Sequence, residues 1–419
     1  MKVLHLSSFD TAGGAARGAY WQHQGLIELG VDSRMLVRFK GSIDLSITKV
    51  LPNQKTFPRI KRVLKRKYDE SLKKRKLRKD RQSEFIMDES DLSTSDIQEQ
   101  IAHADVINIH YCEGFLSIHG LLEMIPRGKP VVITLHEMSF FTGGCNYAWD
   151  CRGFENECGL CPLMKSPQEN DLSHSVWKSK HAALNKRKKE NTYFVADSTW
   201  IESEGRKSKL LRDFNIRTIH YGINQDIFSP HDKLAVRKLL GINEAIPVIL
   251  FASENISDPR KGFKLLFEAI KALPGQYPVQ FISFGRVLDM SCMSHGVKHF
   301  GFVEDDRLMA LLYSAADLFV IPSLQEAFGL TCLEAMACGT PVLGFDRGGI
   351  PDMVVHGFTG FSADKVSVDG LKQGLDDFLH NPLKYKEMGI NSRQMTLDKF
   401  SREKNAENYS LLYRELFNQ

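Results

Sequence analysis

The sequence predicts an α/β chain of two doubly wound Rossmann-like domains, and three observations carry that prediction. Its 419 residues are too many for one ordinary core and suit two domains of roughly 200 residues each. Short apolar runs of strand character alternate with stretches of helical periodicity, as in parallel βαβ units. No internal repeat or low-complexity linker interrupts the chain, so the two halves are expected to face across an extensive cleft.

Composition narrows the class. Hydrophobic content of 42% and charged content of 25% are ordinary for a soluble globular protein. No run of eighteen apolar residues exists, and Met1–Ser8 is a strand-like start rather than a signal peptide. A net charge of +4 is too small to argue for nucleic acid. Eight cysteines without a secretory signal point to a reducing compartment, so a cytoplasmic protein is expected.

In order, Met1–Ser8 reads as a buried parallel strand, Thr11–Gly14 as a turn, and Ala15–Leu29 as a helix ended by Gly30. A strand, a Gly13-Gly14 turn and a helix make a phosphate-approach geometry. The alternative is a tight turn that needs glycine for its dihedrals. Ser33–Phe39 is the second strand. The segment 58–81 then holds thirteen Lys or Arg against three acidic residues, with apolar residues at roughly helical spacing. Such a helix suits an anionic membrane surface, and a solvated helix on the domain edge is the alternative. Nucleic acid is disfavoured, because nothing there supplies aromatic stacking or base readout.

Asp105–His110 and Pro130–His136 are two buried strands, each ending in a histidine at the edge where open α/β sheets hold ligands. Cys145, Cys151, Cys158 and Cys161 follow, spaced C-x5-C-x6-C-x2-C. The C-G-L-C knuckle before Pro162 looks like half of a structural zinc site; reduced, packed cysteines are the next alternative and a disulfide pair the least favoured. Tyr193–Ser198 and Arg217–Gly222 are the last strands of a first domain spanning 1–222.

The second domain, 223–399, opens with the strand Pro247–Ser253, then D-P-R-K-G and the helix Phe263–Ala272. Val279–Gly285 and Lys298–Phe302 are further strands, and Val303–Ala316 is a helix. The strand Asp317–Pro322 runs into S-L-Q-E-A-F-G-L-T-C-L-E-A-M-A-C-G-T-P-V, residues 323–342. There a loop carries Glu326 and Gly329, Leu330–Cys338 reads as a helix, and Gly339 closes it. The free N–H groups at Gly329–Leu330 and the positive dipole end suit a phosphate. Glu326 and Glu334 cannot attract a diphosphate, so as ligands they would accept from sugar or ribose hydroxyls. By spacing alone, two solvated surface glutamates are the favoured reading, because such pairs are common. Arg347–Ile350 is a second Gly-rich turn, and 400–419 reads as a final helix.

The whole string 323–342 resembles the E-x7-E signature of the retaining, family 4 glycosyltransferases of GT-B fold, across some twenty positions. H-Y-G-I-N-Q-D-I-F-S-P, with Asn224, Asp226, Phe228 and Pro230, resembles that family's domain-crossing segment, which implies the boundary near Gly222 and a last helix, 400–419, that crosses back onto the first domain. The resemblance implies transfer of a sugar from a nucleoside diphosphate sugar to a glycan or lipid-linked glycan hydroxyl, without a catalytic metal. It implies that Gly13 and Gly14 touch the donor phosphates, that Lys261 contacts the diphosphate, and that Glu334 holds the ribose. Glu326 is implied to hold the sugar hydroxyls, and His136 to reach the sugar near its reacting end. The family's usual Gly-Arg pair is replaced here by Ala252 and Ser253, and Arg260 is the residue expected to restore the missing charge. The block H-E-M-S-F-F-T-G-G-C…C…C-G-L-C-P further resembles a subgroup that builds bacterial exopolysaccharides of colanic-acid type. Another GT-B reaction, such as nucleotide-sugar epimerisation or sugar phosphorolysis, and a non-catalytic sugar-nucleotide sensor stay open beside it.

Overall fold

The computed structural model describes residues 1–51, 84–86, 95–164, 167–273, 278–287 and 296–418. The basic segment 58–81 lies outside the described residues. The chain divides into two compact units, Met1–His220 with Asn405–Gln419, and Tyr221–Lys404.

In the first unit the described strands are β1 (Lys2–Phe9), β2 (Asp32–Phe39), β3 (Ile47–Lys49), β4 (Val106–Ile109), β5 (Val131–Leu135), β6 (Thr192–Ala196) and β7 (Asn215–Thr218). They form one parallel sheet in the order β3-β2-β1-β4-β5-β6-β7. β4 and β5 are buried along their whole length, as expected where helices cover both faces. Strand order reverses between β1 and β4, and ligands of such sheets sit outside the carboxyl ends at that reversal.

The last helix, Arg402–Phe417, lays its Tyr409 and Tyr413 on this sheet. Tyr413 Oη accepts from Gln22 Nε2 at 2.8 Å and from Asn108 Nδ2 at 2.7 Å, and Thr134 Oγ1 donates to Asn108 Oδ1. A helix distant in sequence thereby satisfies polar groups that the first half leaves buried.

The second unit has β8 (Val248–Asn255), β9 (Gln280–Arg286), β10 (Val297–His299), β11 (Leu318–Ile321), β12 (Val342–Phe345) and β13 (Gly360–Ala363). Its parallel sheet runs β10-β9-β8-β11-β12-β13, with the reversal between β8 and β11. Phe251, Leu266, Leu318, Val320, Leu343 and Leu375 are wholly buried in the core between sheet and helices. Arg393 of the helix Pro382–Lys399 donates to the carbonyls of Phe228 and Ala337, tying that helix to the segment that opens the unit.

Candidate active site

The second unit assembles its charges at the β8/β11 reversal. Arg260 and Lys261 sit in a short 3-10 turn, Pro259–Lys261, which Asp258 caps by accepting from Arg260 N. Glu326 stands in the loop after β11, 7% exposed. Lys261 Nζ donates to Glu326 Oε2 at 2.5 Å, and Ser323 Oγ donates to the same oxygen at 3.1 Å. Arg260 Nη1 lies 3.7 Å from that oxygen and donates to the Gln325 carbonyl at 2.9 Å. Burial raises the Glu326 carboxyl, but Lys261 and then Arg260 outweigh it and hold the group below its ordinary range. Burial lowers the Lys261 ammonium, and Glu326 opposes that shift.

Two glycines make the loop possible. Gly262, at φ 69°, lets the turn approach Pro322, where a Cβ would meet the carbonyl oxygen at 1.9 Å. Gly348, at φ 60°, comes as close to Glu326, and Gly349 N donates to the Glu326 carbonyl at 2.9 Å. The expected Gly-rich turn at 347–350 therefore clamps the loop that carries Glu326.

Gly329 precedes the helix Leu330–Ala337 at φ 103°, and no side chain caps that helix. Its first-turn N–H groups point beyond the carboxyl end of β11, where an anion is stabilised. Glu334 is wholly buried, and its Oε2 accepts from Tyr313 Oη at 2.7 Å. It is not a solvated surface glutamate. Ala252 and Ser253, in the place of the Gly-Arg pair, are buried in β8, and Arg260 brings its guanidinium to the Lys261–Glu326 cluster instead.

In the first unit Gly13 takes φ 83° and precedes the helix, whereas Gly14 is the first residue of the helix Gly14–Glu28 rather than part of the turn. Only Gly13 has the left-handed backbone that the turn requires. Arg17 lies over the Trp21 ring at 4.8 Å. His110 and His136 follow β4 and β5 directly and line a small pocket of about 50 Å³ with Tyr111, Glu113, Glu137 and Lys180. Burial lowers His136 to about 3, so it is neutral at physiological pH. Burial also raises Glu137 to about 7, although Ser139 N donates to its Oε2 at 2.6 Å.

Zinc is not supported at the four clustered cysteines. Among the described residues no group of three or more His, Cys, Asp or Glu side chains could hold a metal ion. Cys145, Cys151, Cys158 and Cys161 are free thiols. Cys161 packs in an apolar cluster with Phe85, Met164 and Val176. Cys158 Sγ accepts from Gly143 N, and burial pushes the Cys145 and Cys158 thiols up to about 12. Cys151, Cys158 and Cys161 stand close enough to Cys145 to raise its thiol further.

Sequence reasoning missed Tyr313 and Ser323, which hold the two glutamates, and Asp258, which shapes the cationic turn. It also left out Tyr111, Glu113, Glu137 and Lys180. Only Glu137 carried a local signal, as the neighbour of His136 in H-E-M-S.

Residues 232–395 match the family model "Glycosyl transferases group 1". The chain is 27% identical over 207 residues to N-acetyl-alpha-D-glucosaminyl L-malate synthase of Bacillus anthracis, covering 48% of this chain and 53% of that protein. It is 31% identical over 187 residues to D-inositol 3-phosphate glycosyltransferase of Mycobacterium sp. strain KMS, covering 39% of each. The chain thus spans about half, or less, of the length of these curated relatives. Its fold is similar over the full chain to sucrose-phosphate synthase from Thermosynechococcus elongatus, at TM-score 0.67 and 19% identity, covering all of both chains. It is likewise similar to Anabaena HepE in complex with UDP-glucose, at TM-score 0.67 and 15% identity, with 99% of each covered. The two Rossmann-like units have the GT-B fold of these solved structures, and Lys261, Glu326 and Glu334 lie within the residues that match the glycosyl transferases group 1 model.

Proposed function

We propose that this chain is a retaining glycosyltransferase that moves a sugar from a nucleoside diphosphate sugar to a hydroxyl of a glycan or lipid-linked glycan. One observation carries the reading: Lys261, Arg260 and Glu326 converge at the β8/β11 reversal beside an uncapped helix N-terminus. Three positive features and an adjoining hydroxyl acceptor fit a diphosphate joined to a sugar. The UDP-glucose complex of Anabaena HepE, similar in fold, supports a nucleotide sugar as donor.

In this reading Glu334 holds the ribose and Glu326 the sugar hydroxyls, while Gly13 and Gly14 face the donor phosphates. The bond from the anomeric carbon to the diphosphate breaks, and the new bond to the acceptor oxygen forms on the same face. The acceptor's proton passes to the leaving phosphate oxygen. Lys261, Arg260 and the Gly329–Leu330 backbone stabilise the charge that develops there, the work a divalent cation does in other transferases. The charge that Arg260 retains supports an enzyme over a non-catalytic sensor.

Release of nucleoside diphosphate from UDP-, GDP- and ADP-sugars, with product anomers read by NMR, tests this. One donor series is expected to turn over in excess EDTA with the donor's anomeric configuration kept, and inversion would sink the retaining mechanism. A role in exopolysaccharide assembly at the cytoplasmic face of a membrane follows from the subgroup resemblance and the basic segment 58–81. Salt-sensitive co-sedimentation with phosphatidylserine vesicles, lost on deleting 58–81, is the expected result; binding unchanged by the deletion would contradict it.

A further inference from the structure

The link from β2 to β3 is short for two parallel strands. Ile47 pairs with Met35 and Lys49 with Val37, so after Phe39 the chain must run about 13 Å back along β2 before β3 begins. Parallel neighbours are ordinarily joined by a dozen or more residues, and here residues 40–46 alone make the return.

Polar groups hold that return from inside. The buried Asp10 accepts from Gly41 N at 2.8 Å and from Ser42 N at 2.9 Å. Lys40 Nζ donates to the carbonyls of Asp44 and Ile47 at 2.6 and 2.9 Å. Asp44 Oδ1 accepts from Ser46 N at 2.8 Å and from Ser46 Oγ at 2.5 Å. The Ser46 hydroxyl has one proton and gives it to Asp44, so it accepts from His23 Nε2, 2.8 Å away in the helix Gly14–Glu28. Ile47 then enters the core against Ala19, Met35 and Val37.

The apolar side chains of the same loop face outward. Ile43 is 97% and Leu45 93% exposed, and Phe39 and Leu51, which flank the loop and β3, are 46% and 59% exposed. A lone exposed leucine is ordinary. Here the backbone that would fold both tip residues back is held by the bonds just described. Such side chains gain from burial only against something outside the loop.

Charge selects the occupant. The charged residues of 38–51 are Arg38, Lys40, Asp44 and Lys49. Lys40 and Asp44 turn into the loop, Lys49 is exposed, and Arg38 lies over the Phe39 ring at 5.1 Å. An apolar tip on a net positive rim suits anionic lipid, which takes apolar side chains into its headgroup–acyl boundary and basic ones at its surface. A stable protein partner needs a broader surface than the tip of one loop. The basic segment 58–81 continues the chain a few residues past Leu51 with the same sign of charge.

We propose that 40–46 is a membrane-insertion loop: Ile43 and Leu45 enter the headgroup–acyl boundary of an anionic lipid surface, with Arg38 and Lys49 at the headgroups. This deepens the membrane reading given above, on a surface that does not include 58–81.

Co-sedimentation of the full chain with vesicles of equal parts phosphatidylglycerol and phosphatidylcholine tests it. Ile43→Ser/Leu45→Ser is expected to weaken partitioning about tenfold or more, with the urea midpoint unmoved because neither side chain packs in the fold. Ile43→Trp reports the tip directly. Its fluorescence, taken as the difference from the unaltered chain, should shift to shorter wavelength with these vesicles and be quenched by brominated acyl chains. Partitioning unchanged in the serine variant overturns the proposal, and so does an Ile43→Trp emission that lipid leaves unmoved. Emission already at short wavelength without vesicles would overturn it too, because the tip would then be covered by the chain itself or by a second copy. The two membrane claims fail separately. Binding lost on deleting 58–81 but kept in the serine variant removes the loop and keeps the segment; the reverse keeps the loop and removes the segment. An unaltered chain that does not sediment with these vesicles overturns both.

Discussion

Lys261 Nζ lies 2.5 Å from Glu326 Oε2, joining two nearly buried charges from turns 65 residues apart in sequence. Each neutralises the other before any ligand arrives, and breaking such a pair strands a buried charge. The pair therefore bears on stability and on chemistry, and the two are separable by mutation.

Lys261→Met is expected to lower kcat/KM about 10²- to 10³-fold, the scale of losing one preorganised stabiliser of developing charge. It should also destabilise the second unit, because Glu326 is left buried with Arg260 as its remaining cation. The double variant Lys261→Met/Glu326→Gln is expected to recover stability in urea unfolding but not turnover. Recovered turnover would contradict the role given to Lys261.

Tyr313→Phe removes the hydroxyl that donates to Glu334 at 2.7 Å. Loss of one hydrogen bond to a buried carboxylate should cost about 1–3 kcal/mol of stability, measured by urea midpoint. If Glu334 holds the ribose, nucleotide affinity falls in the same variant by calorimetric titration. Unchanged affinity alongside the stability loss would make Tyr313 purely structural.

Much of this was legible in the sequence, for a physical reason. Strands buried on both faces read as continuous apolar runs, so β4, β5, β8 and β11 lie within a residue or two of expectation. Gly339, at φ 75°, ends its helix as its position after Cys338 implies. Lateral relations were not legible. His5 Nδ1 lies 2.9 Å from His110 Nε2, and His110 Nδ1 lies 2.9 Å from His136 Nε2. That row depends on which strands are neighbours and in what register, and no local pattern encodes that. Arg260 reaches Glu326 only because the Pro259–Lys261 turn folds as it does. The C-G-L-C spacing suggested zinc, which the described residues do not support.

The buried histidines set a pH dependence. Burial lowers His5 and His110 well below 6.5, His136 to about 3 and His23 to about 4. Above pH 6.5 these rings are neutral in both states. As pH falls below 6.5 the unfolded chain takes up protons that the folded core refuses, so stability drops, by about 1.4 kcal/mol per pH unit for each ring. Glu137 works the other way. Raised from 4.5 to about 7, it holds a proton in the folded state that the unfolded chain has lost, and so offsets one ring between these values. Urea unfolding is expected to find the chain less stable at about pH 5 than at about pH 6.5, with a smaller difference in His136→Asn. Equal stability at the two values would contradict the burial account.

Tyr413→Phe deprives Gln22 Nε2 and Asn108 Nδ2 of their shared acceptor. Two buried donors left unmatched should cost about 1–3 kcal/mol each, read as a lower urea midpoint for the first unit. A change within about 0.5 kcal/mol would mean that the last helix docks through its apolar contacts alone.

The most direct test of the central claim is a thermal-shift screen of the purified chain against UDP, GDP, ADP and their common sugars, with Lys261→Met and Glu334→Ala alongside. A ligand held only by the folded state raises the midpoint by mass action, by about 2.7 kcal/mol of stability at a hundredfold excess over Kd. The account predicts that one nucleotide series raises the midpoint of the unaltered chain and that the shift weakens in both variants. No shift from any of them at millimolar concentration, or a shift that both variants retain in full, would contradict it.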